Sequence, residues 1–291
     1  MIKTGAIILL LLGDLNFTGL NFMAEFSKNG YNPEFPFNAA ASVIQKADIA
    51  IANLEGPLTF ADWSPESEKK GWRFRQLPIF AKAIRNSGIK ILLLANNHIA
   101  DAGNKGIEDT LTVLKDNNIL WVPPPKNGPL IIEQNGIKLH LWNVDIFSPE
   151  HSHPWAINAT EFVKIISKRY ALEKEKYISI AFIHDHLNDK TQSEVFISRL
   201  RQNGIHWVII GGEHKPAAIK TDSRGGVHYG LGDFIFGCEC SRESNGRALA
   251  LILNSEGFQA KEFELSLASP INGFVTSFDG QIDLFEVFRR Q

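Results

Sequence analysis

No stretch of this 291-residue chain approaches the roughly 20 consecutive apolar residues that a membrane-spanning helix needs, which argues against an integral membrane segment. The apolar run Ala6 to Leu12 follows Lys3 as the core of a secretion signal would, but it is short. It leads straight into Gly13-Asp14 without a small-residue cleavage site, so it reads as a buried first strand. Neither sign of charge is in excess: 30 Lys and Arg stand against 32 Asp and Glu, a formal net charge of -2. With no long basic stretch, the chain offers no footprint for a nucleic acid or an anionic membrane. Cysteine is scarce. Cys238 and Cys240 stand one residue apart, and such neighbours seldom reach unstrained disulfide geometry. The expectation is two free thiols in a reducing, cytoplasmic compartment; half of a metal site is the alternative, and no second pair completes it.

What is present is a globular composition, 44% apolar, long enough to bury a sizeable core without a disulfide or a structural metal. Residues 1–291 read as one domain, and metal ligands in such a chain point to function rather than folding. Unbroken apolar segments, expected of parallel strands covered on both faces, alternate with amphipathic ones. Strands are predicted at Ala6 to Leu12, Ile49 to Asn53, Ile89 to Ala95, Tyr177 to Ile183 and Ile205 to Ile210. Helices are predicted at Pro36 to Lys46, Leu77 to Ser87, Gly106 to Asn117 and Thr191 to Gln202. That rhythm is α/β. Two stretches break it, a hairpin around Asn135-Gly136 within Pro129 to Asp145 and several adjacent strands within Val227 to Leu265, which suggest a second sheet packed on the first.

The chemistry lies at the ends of the apolar runs. They close in Gly13-Asp14, Asn53-Leu54-Glu55, Asn96-Asn97-His98, His184-Asp185-His186 and Gly211-Gly212-Glu213-His214. In open α/β sheets the ligand crevice lies outside the carboxyl ends of the strands, so these termini should converge. Each alone is weak, since a Gly-Asp after a strand is usually a turn and His184 alone would be a core histidine. Together they form an oxygen and nitrogen ligand set that suits manganese, iron or zinc. Two such ions sharing a carboxylate would activate a water and clamp the oxygens of a phosphoester, which is hydrolase chemistry.

The segments GDLNFTG, ADIAIANLEGPLT, LLANNHIADAGNKGIEDTL, the histidine of FIHDH, GGEH and HYGLGDFIFG resemble, in order, the motifs of the CapA or poly-gamma-glutamate-synthesis (capsule synthesis) family of calcineurin-like metallophosphatases. The resemblance runs from Asp14 to Phe236. It implies a four-layer α/β/β/α sandwich with mixed sheets, a small anionic or polymeric substrate, and divalent ions, two in number. By position it makes Asp14 a ligand of the first metal, Glu55 the bridging carboxylate, Asn97 a ligand of the second metal and His98 the imidazole facing substrate. His184 and His214 complete the shell. Asn16 takes the place of a histidine in the wider superfamily and is carried over as a ligand on that ground. Asp101 either orients His98 or caps the helix that begins near Gly103.

Two departures stand out. The family's fourth motif continues as His-Trp-Gly-x-Glu, where this chain has His184, Asp185, His186, Leu187 and Asn188. Its fifth ends with a histidine after a proline, where Lys215, Pro216 and Ala217 supply none, so one ligand is missing and His186 or Glu213 is the expected substitute. Lys215 either neutralises an anionic substrate or is solvated. His151 and His153 read as a surface loop, or as a lid over the substrate.

Overall fold

The computed structural model describes residues 5–65, 67–69, 71–146, 153–173, 175–185, 190–238, 245–254, 257–267 and 275–278. In chain order the elements are β1 (Ile7–Asn16), α1 (Leu20–Lys28), α2 (Ala41–Ile44), β2 (Ile49–Leu54), α3 (Phe80–Ser87), β3 (Ile89–Leu93), α4 (Gly103–Asp116) and β4 (Leu120–Trp121). There follow β5 (Leu130–Gln134), β6 (Ile137–Asp145), α5 (Ala159–Leu172), β7 (Ile178–His184), α6 (Lys190–Gln202), β8 (Trp207–Gly211), β9 (Ile219–Asp222) and β10 (Gly225–His228). The last are β11 (Asp233–Phe236), β12 (Asn245–Asn254), β13 (Gly257–Leu267) and β14 (Val275–Phe278).

These strands form two mixed sheets. One runs β14-β13-β12-β1-β2-β3-β4 with β11 also paired to β1; the other runs β5-β6-β7-β8-β10-β9. Side chains of a strand alternate between faces, and β1 shows the consequence. Its Leu9 and Leu11 enter a core shared with Leu139, Leu141, Phe182 and Trp207 of the second sheet. Its Leu10 and Leu12 enter another, beneath Phe22, Phe80, Ile84 and Leu114 of the helices on the outer face. A third core packs Trp142, Val144 and Val208 of the second sheet against Phe162, Phe196 and Leu200 of α5 and α6. Helix, sheet, sheet and helix are therefore four layers, as the resemblance implied, and β1 is apolar throughout because both of its faces are covered.

Some expectations need correction. The helix predicted over Pro36 to Lys46 is a 3-10 turn at Phe35–Phe37 and a single turn of α2, since Phe37 and Asn38 give it little helical propensity. The five strand ends do not lie along one sheet: β1, β2 and β3 belong to the first and β7 and β8 to the second, and they meet across the sandwich. Cys238 is disulfide-bonded rather than a free thiol, and Cys240 lies outside the described residues. The thiol argument for a reducing compartment falls with it. Among the described residues no helix is long and apolar enough to cross a membrane.

Candidate metal centre

The first motif works because it contains no side chain at Gly13. A Cβ there would lie 1.9 Å from the Gly232 carbonyl oxygen, so glycine alone lets β11 close onto β1. The Asp14 amide donates to that same carbonyl at 3.1 Å, and the pairing of β1 shifts register there. The bend aims a buried Asp14 carboxylate out of the strand. Asn53 at the end of β2 donates to Asp14 Oδ1 at 2.8 Å, and Asn96 donates to Asn53 Oδ1 at 3.1 Å and to the Leu54 carbonyl at 2.8 Å. A ladder of amides thus fixes the acid.

His214 reaches the same point from the loop after β8. Its backbone is left-handed, with φ 56°, a conformation that costs a residue with a Cβ about 1 kcal/mol. Preceding it, Gly212 has φ 113°, and a Cβ there would sit 2.9 Å from the Asp185 carbonyl oxygen. The imidazole lies among three carboxylates: Nδ1 is 2.9 Å from Asp233 Oδ1 and 3.4 Å from Asp14 Oδ2, and Nε2 is 3.3 Å from Glu55 Oε1. One ligand atom each of Asp14, Glu55 and His214 lie within 4.8 Å of one another.

The electrostatics are those of a cation site. Burial disfavours the charged form of His214, but the Glu55 carboxylate and hydrogen bonds to Asp14, Asp233 and Glu55 lift its pKa well above the usual histidine value. Burial pushes the Glu55 carboxyl above its ordinary range, with His214 opposing and the Asp14 charge reinforcing. Burial would raise Asp14 too, yet the bond and charge of His214, the charge of His184 and the Asn53 bond together bring it lower. In this state the imidazolium supplies the positive charge that the acids require. Among the described residues Glu55 Oε2 is buried without a hydrogen-bond partner, an arrangement expensive in a protein interior and expected of an oxygen that ligates an ion. These donors fit a divalent metal.

Across the crevice His184 Nε2 stands 3.0 Å from Asn97 Oδ1, and both are ligand-capable atoms. Their strand ends meet because Asn143 of β6 accepts the Leu94 and Ala95 amides at 2.9 and 2.8 Å, tying the chain after β3 to the other sheet. Beside them His98 Nδ1 is 2.7 Å from Asp101 Oδ2, an oxygen that also accepts the Phe74 amide at 2.8 Å. The His98 ring packs on Phe74 with centroids 4.1 Å apart. Asp101 does not cap α4, which begins after Ala102 without a side-chain cap; its carboxylate instead holds the His98 ring at Nδ1.

The remaining predicted positions differ in their surroundings. Asn16 is buried, but its amide donates to the Glu55 carbonyl at 3.2 Å and its oxygen accepts from the Thr18 amide at 3.0 Å. Its contacts steady Glu55. Glu213 is exposed and outside the three-residue cluster, and His186 and His151 lie outside the described residues. His153 is no surface residue: it is buried with Nε2 2.9 Å from Asp145 Oδ2. Sequence reasoning missed Asp233, whose buried carboxylate holds His214, although an acid inside the apolar LGDFIF run was a legible signal.

Among known proteins, the Capsule biosynthesis protein CapA of Bacillus anthracis is 22% identical over 248 residues, 79% of this chain and 60% of that protein. The chain thus spans about 60% of the length of that curated relative. A solved structure aligning over 88% of this chain and 99% of its own, at 12% identity and a TM-score of 0.50, shares the fold. TT1561 of Thermus thermophilus aligns over 88% of this chain and 98% of its own at 12% identity and a TM-score of 0.46. The model of the bacterial capsule synthesis protein PGA_cap matches residues 8–238, spanning every site residue named above, and the chain belongs to that family.

Proposed function

We propose that this chain is a metal-dependent hydrolase of phosphoesters, or of a phosphoester-like bond in an anionic polymer, working in the synthesis or remodelling of a capsule. The observation that carries the reading is the cluster of buried Asp14 and Glu55 with partly buried His214, its Glu55 oxygen unpartnered among the described residues, facing the His184 and Asn97 pair across one crevice. Asp14, Glu55 and His214 would hold one divalent ion, and Asn97 and His184 a second, with manganese, iron or zinc suiting the donors. When bound, such ions activate a water as nucleophile and hold the oxygens of the group under attack.

The chain's own residues do the rest. Asp101 fixes the His98 tautomer, so His98 Nε2 is positioned to protonate the leaving oxygen or to stabilise charge developing there. Asp233 and the Asn53–Asn96 ladder hold His214 and Asp14 against rotation. Residues 1–291 act here as one domain, because both sheets contribute to the one site.

A second reading, an anion-binding component without turnover, is favoured by Pro216 and Ala217 standing where the family's closing histidine is expected. The second ion then has fewer protein ligands and binds more weakly. Incubating the protein with manganese, iron or zinc and 4-nitrophenyl phosphate or bis(4-nitrophenyl) phosphate separates the two. Metal-dependent release of nitrophenol, abolished in Asp14→Asn, supports the hydrolase. Tight metal binding with no turnover of a broad panel of phosphoesters and glutamyl peptides would leave the binding component.

A further inference from the structure

A cavity of about 570 Å³ lies away from the metal crevice. It opens at the other end of the second sheet, beside the first residues of β6 and β7 and the loop before β8, where Ile137, Lys138, Tyr177, Ile178 and His206 line it. The metal-side residue His184 ends β7, and a seven-residue strand is roughly 20 Å long, so the two sites do not touch. A cavity of this size holds a small organic ligand.

Its wall is apolar and built. Gly204 has φ 90°, and a Cβ there would lie 2.4 Å from a ring carbon of Tyr170 and 2.7 Å from the Tyr177 hydroxyl, so the two tyrosines close over a position that only glycine allows. Tyr177 is itself fixed, stacked on His140 with centroids 4.4 Å apart and met edge-on by His206 at 6.1 Å. Ile205 and Phe258 complete the apolar surface.

The charged groups are mainly cationic. Lys138, Lys176, Arg201 and Arg224 line the cavity against the single carboxylate of Glu175. Lys138 is held by Glu175 at 2.6 Å, and Arg201 is clamped by Asp222 at 3.0 and 2.8 Å. Among the described residues the guanidinium of Arg224 makes no hydrogen bond or close ion pair; its backbone amide donates to Asp222, whose carboxylate is already clamped by Arg201 and lies near enough to feel the Arg224 charge. His206 Nδ1 accepts the Ser179 amide at 3.0 Å, so the neutral ring carries its proton on Nε2, which has no partner among the described residues. Burial, and then the charges of Arg201 and Arg224, keep that ring neutral by lowering its pKa. A fork of guanidinium donors and one imidazole N–H beside an aromatic wall is the arrangement that receives an anionic group attached to a ring.

We propose that this cavity is a second ligand site, separate from the metals, for a small aromatic anion whose carboxylate, sulfonate or phosphate is held by Arg224 and His206 and whose ring lies on the tyrosine wall. The probe is 8-anilinonaphthalene-1-sulfonate, followed by its fluorescence with wild-type protein and with Arg224→Ala, Arg224→Lys, Arg85→Ala and Glu55→Gln. Expected is saturable binding of one equivalent, weakened about tenfold by Arg224→Ala, as for loss of one charge-assisted hydrogen bond. Arg224→Lys should recover part of that loss. Arg85→Ala, on the remote helix α3, and Glu55→Gln, in the metal crevice, should bind as wild type does. Equal affinity for wild type and Arg224→Ala, non-saturating binding, or loss of binding in Glu55→Gln would overturn the assignment. Arg224 is exposed, so its variants test the site without risk to folding.

Discussion

Replacing Glu55 by Gln should make the metal-free protein more stable and the metal-loaded protein less so. Glu55 is 1% exposed, its Oε2 has no hydrogen-bond partner among the described residues, and its pKa is held above the ordinary carboxylate value by burial. A folded-state pKa above the unfolded one means the stability that Glu55 contributes is complete at low pH and is lost as pH rises through the folded value. At pH 7 the metal-free protein therefore carries a penalty that a neutral amide of the same shape removes. The desolvation penalty of the buried charge, which a neutral amide does not carry, sets the gain at about 1–3 kcal/mol. In a chain of this size that is a rise in Tm of about 2–6 °C. Adding manganese at a hundredfold excess over its Kd should stabilise wild type by about 2.7 kcal/mol, an effect Glu55→Gln should forfeit. Differential scanning calorimetry of both proteins, with chelator and with metal, reads all four states. A metal-free variant that melts below wild type would mean that the carboxylate is satisfied by the fold itself.

Three further outcomes are expected. His98→Ala should slow turnover by about 10² to 10⁴ while leaving metal content near normal, as for removal of a general acid; loss of metal in that variant would make His98 a ligand instead. His140, fully buried and stacked on Tyr177, has its pKa lowered to about 4, chiefly by burial. The unfolded chain therefore takes up a proton first as pH falls from about 6.5 to about 4, and stability should drop by up to about 3 kcal/mol across that window. His140→Phe keeps the stack and should flatten the dependence in urea titrations at pH 7 and 4.5; an unchanged slope would assign the acid sensitivity elsewhere. Gly13→Ala should cost about 3 kcal/mol or more in the same assay, because its methyl would overlap the Gly232 oxygen. A loss within about 0.5 kcal/mol would mean that β11 does not need to sit so close.

Much of this architecture was written in apolar patterning. Strands β1, β2, β3, β7 and β8 show as unbroken runs because both of their faces are covered, and the hairpin around Asn135 and Gly136 shows because both residues adopt positive φ. Other features resisted. Helix α1 begins at Gly19 without a side-chain cap, so nothing announces it, whereas α5 carries a signal that was passed over: Asn158 accepts the Glu161 amide. At the site, residues at strand ends were legible because open sheets gather such ends. Asp233 shows as an acid inside an apolar run, but its role does not, because that role depends on β11 lying parallel beside β1, a pairing between residues more than 200 positions apart. His153 shows in the sequence only as a surface loop or lid residue, because its partner Asp145 comes from a strand end that periodicity does not mark as polar-facing.

Asp14, Glu55 and His214 together should hold a divalent ion. Manganese-loaded protein, desalted and assayed by inductively coupled plasma mass spectrometry, tests it directly when wild type is compared with Asp14→Ala and His214→Ala. Wild type should retain at least about one equivalent of metal and each variant about tenfold less or lower still, since removing one ligand leaves an ion with too few donors to hold it. A wild-type protein that retains no metal, or variants that retain as much as wild type, would contradict it.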